Sequence, residues 1–314
     1  MTAADARVTA ADVRAAAARL AGVVVRTPAV RLPGTDVWLK LESLQRTGAF
    51  KFRGACNLVA QLEPAERARG VVAASSGNHA QALALAARLH DVCATVFMPT
   101  DAPGVKRVGA ERLGARVVAY ERLVDDRDAL VAAFAEQTGA VVVPAYDDPR
   151  IVAGAATAGL ELLADVPGLE ALVVPTGGGG SLAGWSVVAP SGIELYGVCP
   201  AAADAPRRSF LAGVRERAAV GPTIADGLQV AVPGVLNFAT WAPRVRDVVT
   251  VEEAEIEAAL RTLALRGKLL AEPSGVVALA AVLSGRLDLD GRRVGVLVSG
   301  GNADPALLAR VLAG

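Results

Sequence analysis

The segment Leu172-Val173-Val174-Pro175-Thr176-Gly177-Gly178-Gly179-Gly180-Ser181 decides the fold class of this chain. It begins with a short apolar run that is typical of a buried strand, and a helical pattern follows from Leu182. Four glycines at such a junction can bring several backbone N–H groups close to an anion, and the helix N-terminus adds partial positive charge. The segment therefore predicts an α/β fold with a phosphate-binding loop, although a flexible connector would explain the same glycines.

Short β-rich runs alternate with helical runs along most of the chain. Predicted strands occupy residues 71–75, 94–99, 116–120, 141–146, 172–175, 194–199, 248–251 and 294–299. Predicted helices occupy residues 80–89, 105–113, 128–137, 151–163, 252–265 and 305–312, with others starting near Thr9 and Leu182. Strands that are apolar without alternation are typical of parallel strands buried on both faces. We therefore expect two parallel sheets covered by helices, with a ligand site between them.

The N-terminal helix has recognisable ends. Thr9 and Asp12 have the spacing of a capping box, and Gly22 is placed to end the helix.

Composition and charge exclude several classes of protein. The 314 residues are 53% hydrophobic and 20% charged, which excludes a disordered chain. Lys and Arg number 32, as do Asp and Glu, so no basic excess favours nucleic acid or a membrane surface. The three cysteines form no C-x-x-C pair, and the two histidines form no zinc motif. With no targeting segment visible, we expect a cytoplasmic protein that binds no nucleic acid, membrane or metal.

Two further segments lie where a predicted strand meets a helix or turn. Ser75-Ser76-Gly77-Asn78-His79 combines small polar side chains with free N–H groups, which suits a carboxylate-sized anion. Val298-Ser299-Gly300-Gly301-Asn302 places a serine hydroxyl where it could bind a ring nitrogen of a ligand. Simple helix capping and a tight turn would explain these segments if each were considered alone.

Lys51 is the candidate reactive residue. It lies between Phe50 and Phe52, in a segment flanked by Gly48 and Gly54. Apolar surroundings lower the pKa of an amine and make it a better nucleophile. Because most single lysines are solvated surface residues, the segment indicates function only in combination with the other motifs.

Taken together, these motifs resemble one family of enzymes. The supporting strings are Arg26-Thr27-Pro28, residues 40–55, 75–81, 177–184, Thr223-Ile224-Ala225-Asp226-Gly227-Leu228, Glu272-Pro273-Ser274-Gly275 and residues 299–302. They are similar to fold-type-II pyridoxal-phosphate (PLP) enzymes of the serine/threonine dehydratase and serine racemase group, a tryptophan-synthase-β-like fold. The resemblance implies two parallel-sheet α/β domains with the active site between them. A discontinuous large domain (1–60 and 147–314) would bind PLP, a small mobile domain would span 61–146, and the protein would be a homodimer.

The resemblance also implies a role for each site residue. Lys51 matches the lysine that binds PLP covalently, Phe50 the aromatic residue beside it, and Ser299 the residue facing the pyridine nitrogen. Asn78 matches the partner of the cofactor's 3′-hydroxyl group. The matching phosphate cradle is Gly177, Gly178, Gly179 and Gly180 with Ser181. The matching substrate-carboxylate loop is Ser75, Ser76, Gly77, Asn78 and His79.

The activity implied by the resemblance is that of an ammonia-lyase. Such an enzyme converts a β-hydroxy amino acid such as serine, threonine or 3-hydroxyaspartate to a 2-oxo acid and ammonia, with Lys51 as the general base. A serine or aspartate racemase that uses Lys51 and Ser76 as its two bases is the alternative, and Val230 favours the dehydratase. A β-replacement enzyme, a non-catalytic homologue and a dinucleotide-dependent oxidoreductase are less favoured. The last rests on a formal match of Gly178-x-Gly180-x-x-Ala183 to a dinucleotide fingerprint.

Several positions depart from the family pattern. Cys199 and Ala205 replace the acidic residues that often help to bind a divalent cation, so we expect no cation site there and a buried core role for Cys199. Ala49, Ala155 and Ala156 replace residues that lie near the cofactor in the family. An unusual substrate preference and a reduced activity are both open interpretations of these three alanines.

Overall fold

The structure is a computed structural model that describes residues 7–75, 77–102, 104–121 and 124–314. Strands in this part of the chain are β1 (Ala29–Arg31), β2 (Val37–Leu41), β3 (Val71–Ala74), β4 (Ala94–Pro99), β5 (Arg116–Tyr120), β6 (Val141–Val142), β7 (Ala171–Pro175), β8 (Glu194–Pro200), β9 (Asp247–Val251) and β10 (Val294–Val298). Its α-helices are α1 (Ala10–Leu20), α2 (Lys51–Val59), α3 (Pro64–Arg69), α4 (Asn78–Leu89), α5 (Gly104–Arg112), α6 (Arg127–Thr138), α7 (Pro149–Asp165), α8 (Gly180–Val188), α9 (Ala205–Ala212), α10 (Val235–Trp241), α11 (Glu253–Leu265), α12 (Pro273–Leu283) and α13 (Pro305–Ala313). None of the described helices is both long enough and apolar enough to cross a bilayer.

The strands form two sheets, which confirms the predicted fold class. One sheet has the order β5-β4-β3-β6, and its strands are all parallel. The other has the order β1-β2-β10-β7-β8-β9 and is parallel except at its edge, where Ala29 pairs with Lys40 in antiparallel register. The sequence analysis predicted neither β1 nor β2. A three-residue, partly exposed edge strand such as β1 has no distinctive pattern, and the charged Lys40 interrupts the apolar run of β2.

Each sheet is covered on both faces. The six-stranded sheet packs against α11 and α12 on one face and against α1, α7, α8 and α10 on the other. The four-stranded sheet packs against α2 and α4 on one face and against α6 on the other. Strands β7 and β10 are buried along their whole length, as continuous apolar runs predict for central parallel strands.

Most predicted elements agree with the structure within a few residues, but one strand is much shorter. The run 141–146 was predicted as a strand, whereas β6 ends at Val142. Pro144 has no N–H to donate to a sheet ladder, and the carbonyl oxygen of Ala145 instead accepts a hydrogen bond from Lys51. At the N-terminus, Thr9 and Asp12 form the predicted capping box, and Gly22 follows the helix with a φ of 73°.

Helix α2 packs against the four-stranded sheet and helix α4 on one side, and against helix α7, which covers the six-stranded sheet, on the other. Its residues Phe52 and Leu58 belong to the same apolar cluster as Leu83 of α4 and Met98 of β4. On its other side, a Cβ at Gly54 would lie 2.8 Å from the carbonyl oxygen of Ile151 in α7. The division into domains at residues 60 and 146 stays a prediction, and α2 lies at the junction that this division would create.

A buried network of charges anchors α2. The guanidinium of Arg53 donates two hydrogen bonds to the carboxylate of Glu42 and two to that of Glu161, each at 2.8 Å. Lys40 also donates to Glu161, at 2.6 Å. Burial alone would lower the pKa of Arg53, but the two carboxylates outweigh this effect and raise it. The network therefore consists of two cations and two anions that compensate each other inside the protein.

We expect Glu42→Gln to destabilise the protein by about 3 kcal/mol, because it leaves a buried cation without a full counter-charge. Denaturant-induced unfolding measures the loss. Glu257→Gln is the matched control, since the ion pair of Glu257 with Arg310 lies at the surface and should contribute about 1 kcal/mol or less. Equal effects of the two substitutions would contradict the anchoring role of the network.

Candidate active site

A cavity of about 200 Å³ lies where the two sheets meet. Its lining includes every predicted site residue that the structure describes: Phe50, Lys51, Ser75, Gly77, Asn78, His79, Gly177, Gly178, Gly179, Gly180, Ser181 and Ser299. Ser76 was predicted as a second base, but it lies outside the described residues. The fold thus brings together segments that are up to about 250 residues apart in the chain, from Phe50 to Ser299.

Lys51 projects into this cavity from the first turn of α2. Its Nζ donates a hydrogen bond to the carbonyl oxygen of Ala145 at 2.7 Å and lies 5.0 Å from the ring centroid of Phe50. Burial lowers the pKa of this amine from 10.5 to about 8. About a tenth of the amine is therefore neutral at pH 7, far more than for an ordinary lysine, and the neutral form is the one that a nucleophile or a general base requires.

The glycine loop has the geometry of an anion site. In the described part of the chain, the N–H groups of Gly177, Gly178, Gly179 and Gly180 have no hydrogen-bond acceptor, and all four residues are buried. Because α8 begins at Gly180, the loop also lies at a positive helix end. Buried N–H groups without acceptors are rare in proteins, so this loop is suited to a ligand with several anionic oxygens.

Two of these positions require glycine. A Cβ at Gly178 would lie 2.4 Å from the ring of Tyr146. Gly179 has a φ of 88°, and a Cβ there would lie 2.6 Å from Nε1 of Trp241.

Asn78 belongs to a chain of polar side chains at one side of the cavity. Its Nδ2 donates to Oε1 of Glu272 at 2.6 Å, and its Oδ1 accepts from Nδ2 of Asn302 at 2.8 Å. These bonds join the start of α4 to the start of α12 and to the segment after β10. The amide of Asn78 is consequently held in one orientation at the cavity wall.

His79 faces the protein rather than the cavity opening. Its Nε2 donates to the carbonyl oxygen of Val143 at 3.0 Å. Burial, together with the nearby charge of Lys51, lowers the pKa of this imidazole to about 4, so the ring is neutral near pH 7. The proposed contribution of His79 to carboxylate binding would therefore come from its backbone N–H in the first turn of α4.

Ser299 lies at the end of β10, beside Lys51 in space. Its carbonyl oxygen accepts a hydrogen bond from the N–H of Phe50 at 3.1 Å. Its own hydroxyl reaches the carbonyl oxygen of Ser274 only at 3.5 Å, the long limit for such a bond. The hydroxyl can therefore turn towards a better partner in the cavity.

The structure adds lining residues to which sequence reasoning gave no role. Arg127 begins α6 and supplies a second cationic side chain to the lining, and Tyr146, Asp226 and Glu272 also line the cavity. An arginine in the first turn of a helix is indistinguishable in sequence from a surface residue, so only the fold could identify Arg127.

The positions that depart from the family pattern lie elsewhere. Ala49, Ala155 and Ala156 are buried but do not belong to the cavity lining. Ala156 faces α8, where a Cβ on Gly184 would lie 2.9 Å from its backbone nitrogen. Ala49 directly precedes Phe50 of the lining and pairs with Gly300, the residue after Ser299. An influence of the three alanines on substrate preference stays a prediction.

Cys199 is a core residue, as expected. It is fully buried, and burial raises the pKa of its thiol to about 12. Among the described residues, no cluster of three or more His, Cys, Asp or Glu side chains could hold a metal ion.

Comparison with known proteins agrees with this geometry. Residues 20–300 match the family described as "Pyridoxal-phosphate dependent enzyme". The chain is 43% identical over 285 residues to an L-threo-3-hydroxyaspartate ammonia-lyase of Pseudomonas sp, covering 90% of this chain and 89% of the relative. It is 40% identical over 314 residues to an L-threonine ammonia-lyase of Thermotoga maritima, covering 97% of this chain and 78% of the relative.

A solved structure extends the similarity to three dimensions. A serine racemase from Dictyostelium discoideum matches with a TM-score of 0.89 and 36% sequence identity, covering 95% of this chain and 99% of that chain. The cavity where the two sheets meet, with its half-buried lysine and its glycine loop, is thus the cofactor site of this chain. The chain belongs to the pyridoxal-phosphate dependent enzymes, and PLP is its cofactor.

Proposed function

We propose that this protein is an ammonia-lyase that converts a β-hydroxy amino acid to a 2-oxo acid and ammonia. The observation that carries the proposal is the position of Lys51, whose pKa of about 8 suits proton transfer, in the same cavity as the glycine loop. The names of the Pseudomonas and Thermotoga relatives support the same reaction class.

The residues of the cavity fit PLP. The four glycine N–H groups without acceptors suit its phosphate, and Lys51 would bind its aldehyde carbon covalently. Asn78 would hold the ring hydroxyl group and Ser299 the ring nitrogen. When bound, PLP withdraws electrons from Cα of an attached amino acid and so makes the Cα proton acidic.

Lys51 is the base in the proposed reaction. Once the substrate's amino group has taken the place of Lys51 on the cofactor, the freed lysine amine would accept the Cα proton. The β-hydroxyl group would take up one proton and leave as water. Water then replaces the amino group after release, so the net products are one 2-oxo acid and one ammonia. Ser299 offers a neutral hydroxyl, which does not hold a proton on the facing ring nitrogen as a carboxylate would.

The substrate carboxylate would bind at the start of α4. The N–H groups of Gly77, Asn78 and His79 lie near that helix end, where partial positive charge favours an anion. The N–H of Gly77 donates to Oγ of Ser75 at 3.2 Å and would have to exchange this acceptor for the carboxylate. The hydroxyl groups of Ser75 and Ser76 would add further donors. Burial lowers the pKa of the His79 ring, so the ring is neutral near pH 7 and itself adds no charge to the binding of the carboxylate.

Arg127 favours a substrate with a second carboxylate. Among the described residues of the lining it is the cationic side chain besides Lys51. It is exposed, and its Nε donates to Oδ1 of the neighbouring Asp128 at 2.9 Å, so a substrate carboxylate would share it with Asp128. A β-carboxylate would pair with it, whereas serine and threonine have no group to do so. We therefore propose 3-hydroxyaspartate as the preferred substrate, which agrees with the name of the Pseudomonas relative.

Racemisation is a second candidate function, and the serine at position 76 favours it. A racemase needs a base on each face of the substrate, and Ser76 follows directly after Ser75 of the cavity lining. The similarity to the Dictyostelium racemase supports this candidate as well.

A cytoplasmic location, a homodimeric assembly and a mobile small domain (61–146) also belong to the proposal. The first is supported by cysteines without a disulfide pattern. The other two are supported by the resemblance of the motifs.

We expect Arg127→Gln to reduce kcat/KM for L-threo-3-hydroxyaspartate by about 10-fold or more, because a hydrogen bond to a charged group is lost. The value for L-serine should change by less than about threefold, since serine has no second carboxylate. Release of 2-oxo acid measures both. Equal losses for the two substrates would show that Arg127 does not select the substrate, and no loss would show that it does not contact it.

The rate at which PLP attaches to Lys51 in the cofactor-free protein should rise with pH and level off above about 8. The neutral amine is the nucleophile, and its fraction saturates once the pH exceeds the pKa. Borohydride reduction followed by mass spectrometry measures the attachment, with Lys51→Ala as the negative control. A rate that continues to rise up to the ordinary lysine value of 10.5 would contradict the buried, low-pKa amine.

Ser76→Ala separates the lyase from the racemase. In deuterated water, a racemase gives serine of inverted configuration with deuterium at Cα, and this product should disappear in the variant because its second base is missing. The lyase proposal predicts that 2-oxo acid release survives in the same variant. Inversion by wild-type protein without 2-oxo acid release would make racemisation the main activity.

A further inference from the structure

We propose that Asn237 is a positioning residue that holds the four-glycine loop in the conformation that receives phosphate, and that Asp147 holds Asn237 in place. This inference rests on the proposed binding of PLP at the loop. Asn237 is fully buried but does not line the cavity, so it acts from behind the loop.

Asn237 contacts the glycine loop through one carbonyl group, that of Gly178. Nδ2 of Asn237 donates to the carbonyl oxygen of Gly178 at 2.9 Å, and the N–H of Gly234 donates to the same oxygen at 3.0 Å. In a trans peptide the carbonyl and the following N–H point in opposite directions. Holding the oxygen of Gly178 from behind therefore turns the N–H of Gly179 away from Asn237, to the side on which the ligand would lie.

The loop needs support from outside itself. Four consecutive glycines carry no side chains, and glycine loses more conformational freedom on ordering than any other residue. Gly179 is held at a φ of 88°, with the indole of Trp241 filling the space where a side chain would be. The hydrogen bonds from α10 and the preceding residue supply the restraint that the loop sequence lacks.

Asp147 fixes the helix that carries Asn237. Its carboxylate accepts hydrogen bonds from the N–H groups of Val235 at 2.8 Å and of Asn237 at 3.2 Å, in the first turn of α10. Nδ2 of Asn237 also donates to the carbonyl oxygen of Tyr146 at 3.2 Å. The segment 146–147 thus accepts hydrogen bonds from both the backbone and the side chain of Asn237, and these bonds hold the start of α10 in place.

The same segment contacts the reactive lysine. The carbonyl oxygen of Ala145 binds Lys51, and the ring of Tyr146 lies against Gly178. Residues 145–147 therefore join the lysine to the glycine loop, and Asn237 completes this connection behind the loop.

The test compares PLP with pyridoxal, which has the same aldehyde but no phosphate. Cofactor-free protein is titrated with each, and the dissociation constants are measured by absorbance. In Asn237→Leu, which removes the donor at similar size, we expect the constant for PLP to rise about 10-fold and that for pyridoxal to change less than twofold. The control is Thr240→Ala on the same helix. Its hydroxyl donates to the carbonyl oxygen of Leu236 at 2.7 Å, away from the glycine loop, so this variant should change neither constant.

Two results would overturn the inference. An unchanged dissociation constant for PLP would show that the loop holds its conformation without Asn237. Equal losses for PLP and pyridoxal would show general damage to the site rather than positioning of the phosphate loop.

Asp147→Asn provides a second variant if Asn237→Leu does not fold. It keeps one acceptor for the two N–H groups of α10, so we expect a smaller loss in the same direction, again confined to PLP. The wild-type protein separates this inference from the proposed function. Wild-type protein that binds PLP through Lys51 but releases no 2-oxo acid would overturn the lyase proposal and leave the positioning test valid.

Discussion

The burial of Arg53 is the constraint on which the position of the reactive lysine depends. Arg53 lies two residues after Lys51 on α2 and cannot lose its proton at any ordinary pH. It can be buried only with both of its carboxylate partners, Glu42 from the segment after β2 and Glu161 from α7. A shift or rotation of α2 would break these charge-assisted bonds. The start of the helix, and Lys51 with it, is therefore directed to the place where the two sheets meet.

The site itself is built largely from backbone groups and neutral side chains. The glycine loop offers N–H groups without acceptors, and the neutral ring of His79 and the carbonyl oxygen of Ala145 surround the lysine without compensating its charge. Desolvation lowers the pKa of Lys51, whereas the carboxylates of Glu42 and Glu161 outweigh desolvation and raise the pKa of Arg53. On the same helix, Arg53 therefore keeps its charge and fixes the position of the helix, whereas Lys51 can lose its proton and act as a base.

The sequence predicted the parts of the site that are continuous in the chain. Strand, glycine loop and helix at residues 172–188 follow local rules, and the lysine and serine segments could be recognised as units. Arg127, Tyr146 and Asn237 could not be recognised, because each is an ordinary residue whose importance comes from contacts across long sequence separations. The predicted strand at 141–146 ends at Val142 in the structure, because Pro144 cannot donate a ladder hydrogen bond and the carbonyl group of Ala145 binds Lys51 instead.

The most direct test of the account is the product released by PLP-loaded wild-type protein from L-threo-3-hydroxyaspartate, L-serine and L-threonine. The account predicts equal amounts of 2-oxo acid and ammonia, with the highest kcat/KM for the dicarboxylic substrate. Absence of 2-oxo acid from all three, with PLP shown by mass spectrometry to be attached at Lys51, would contradict it.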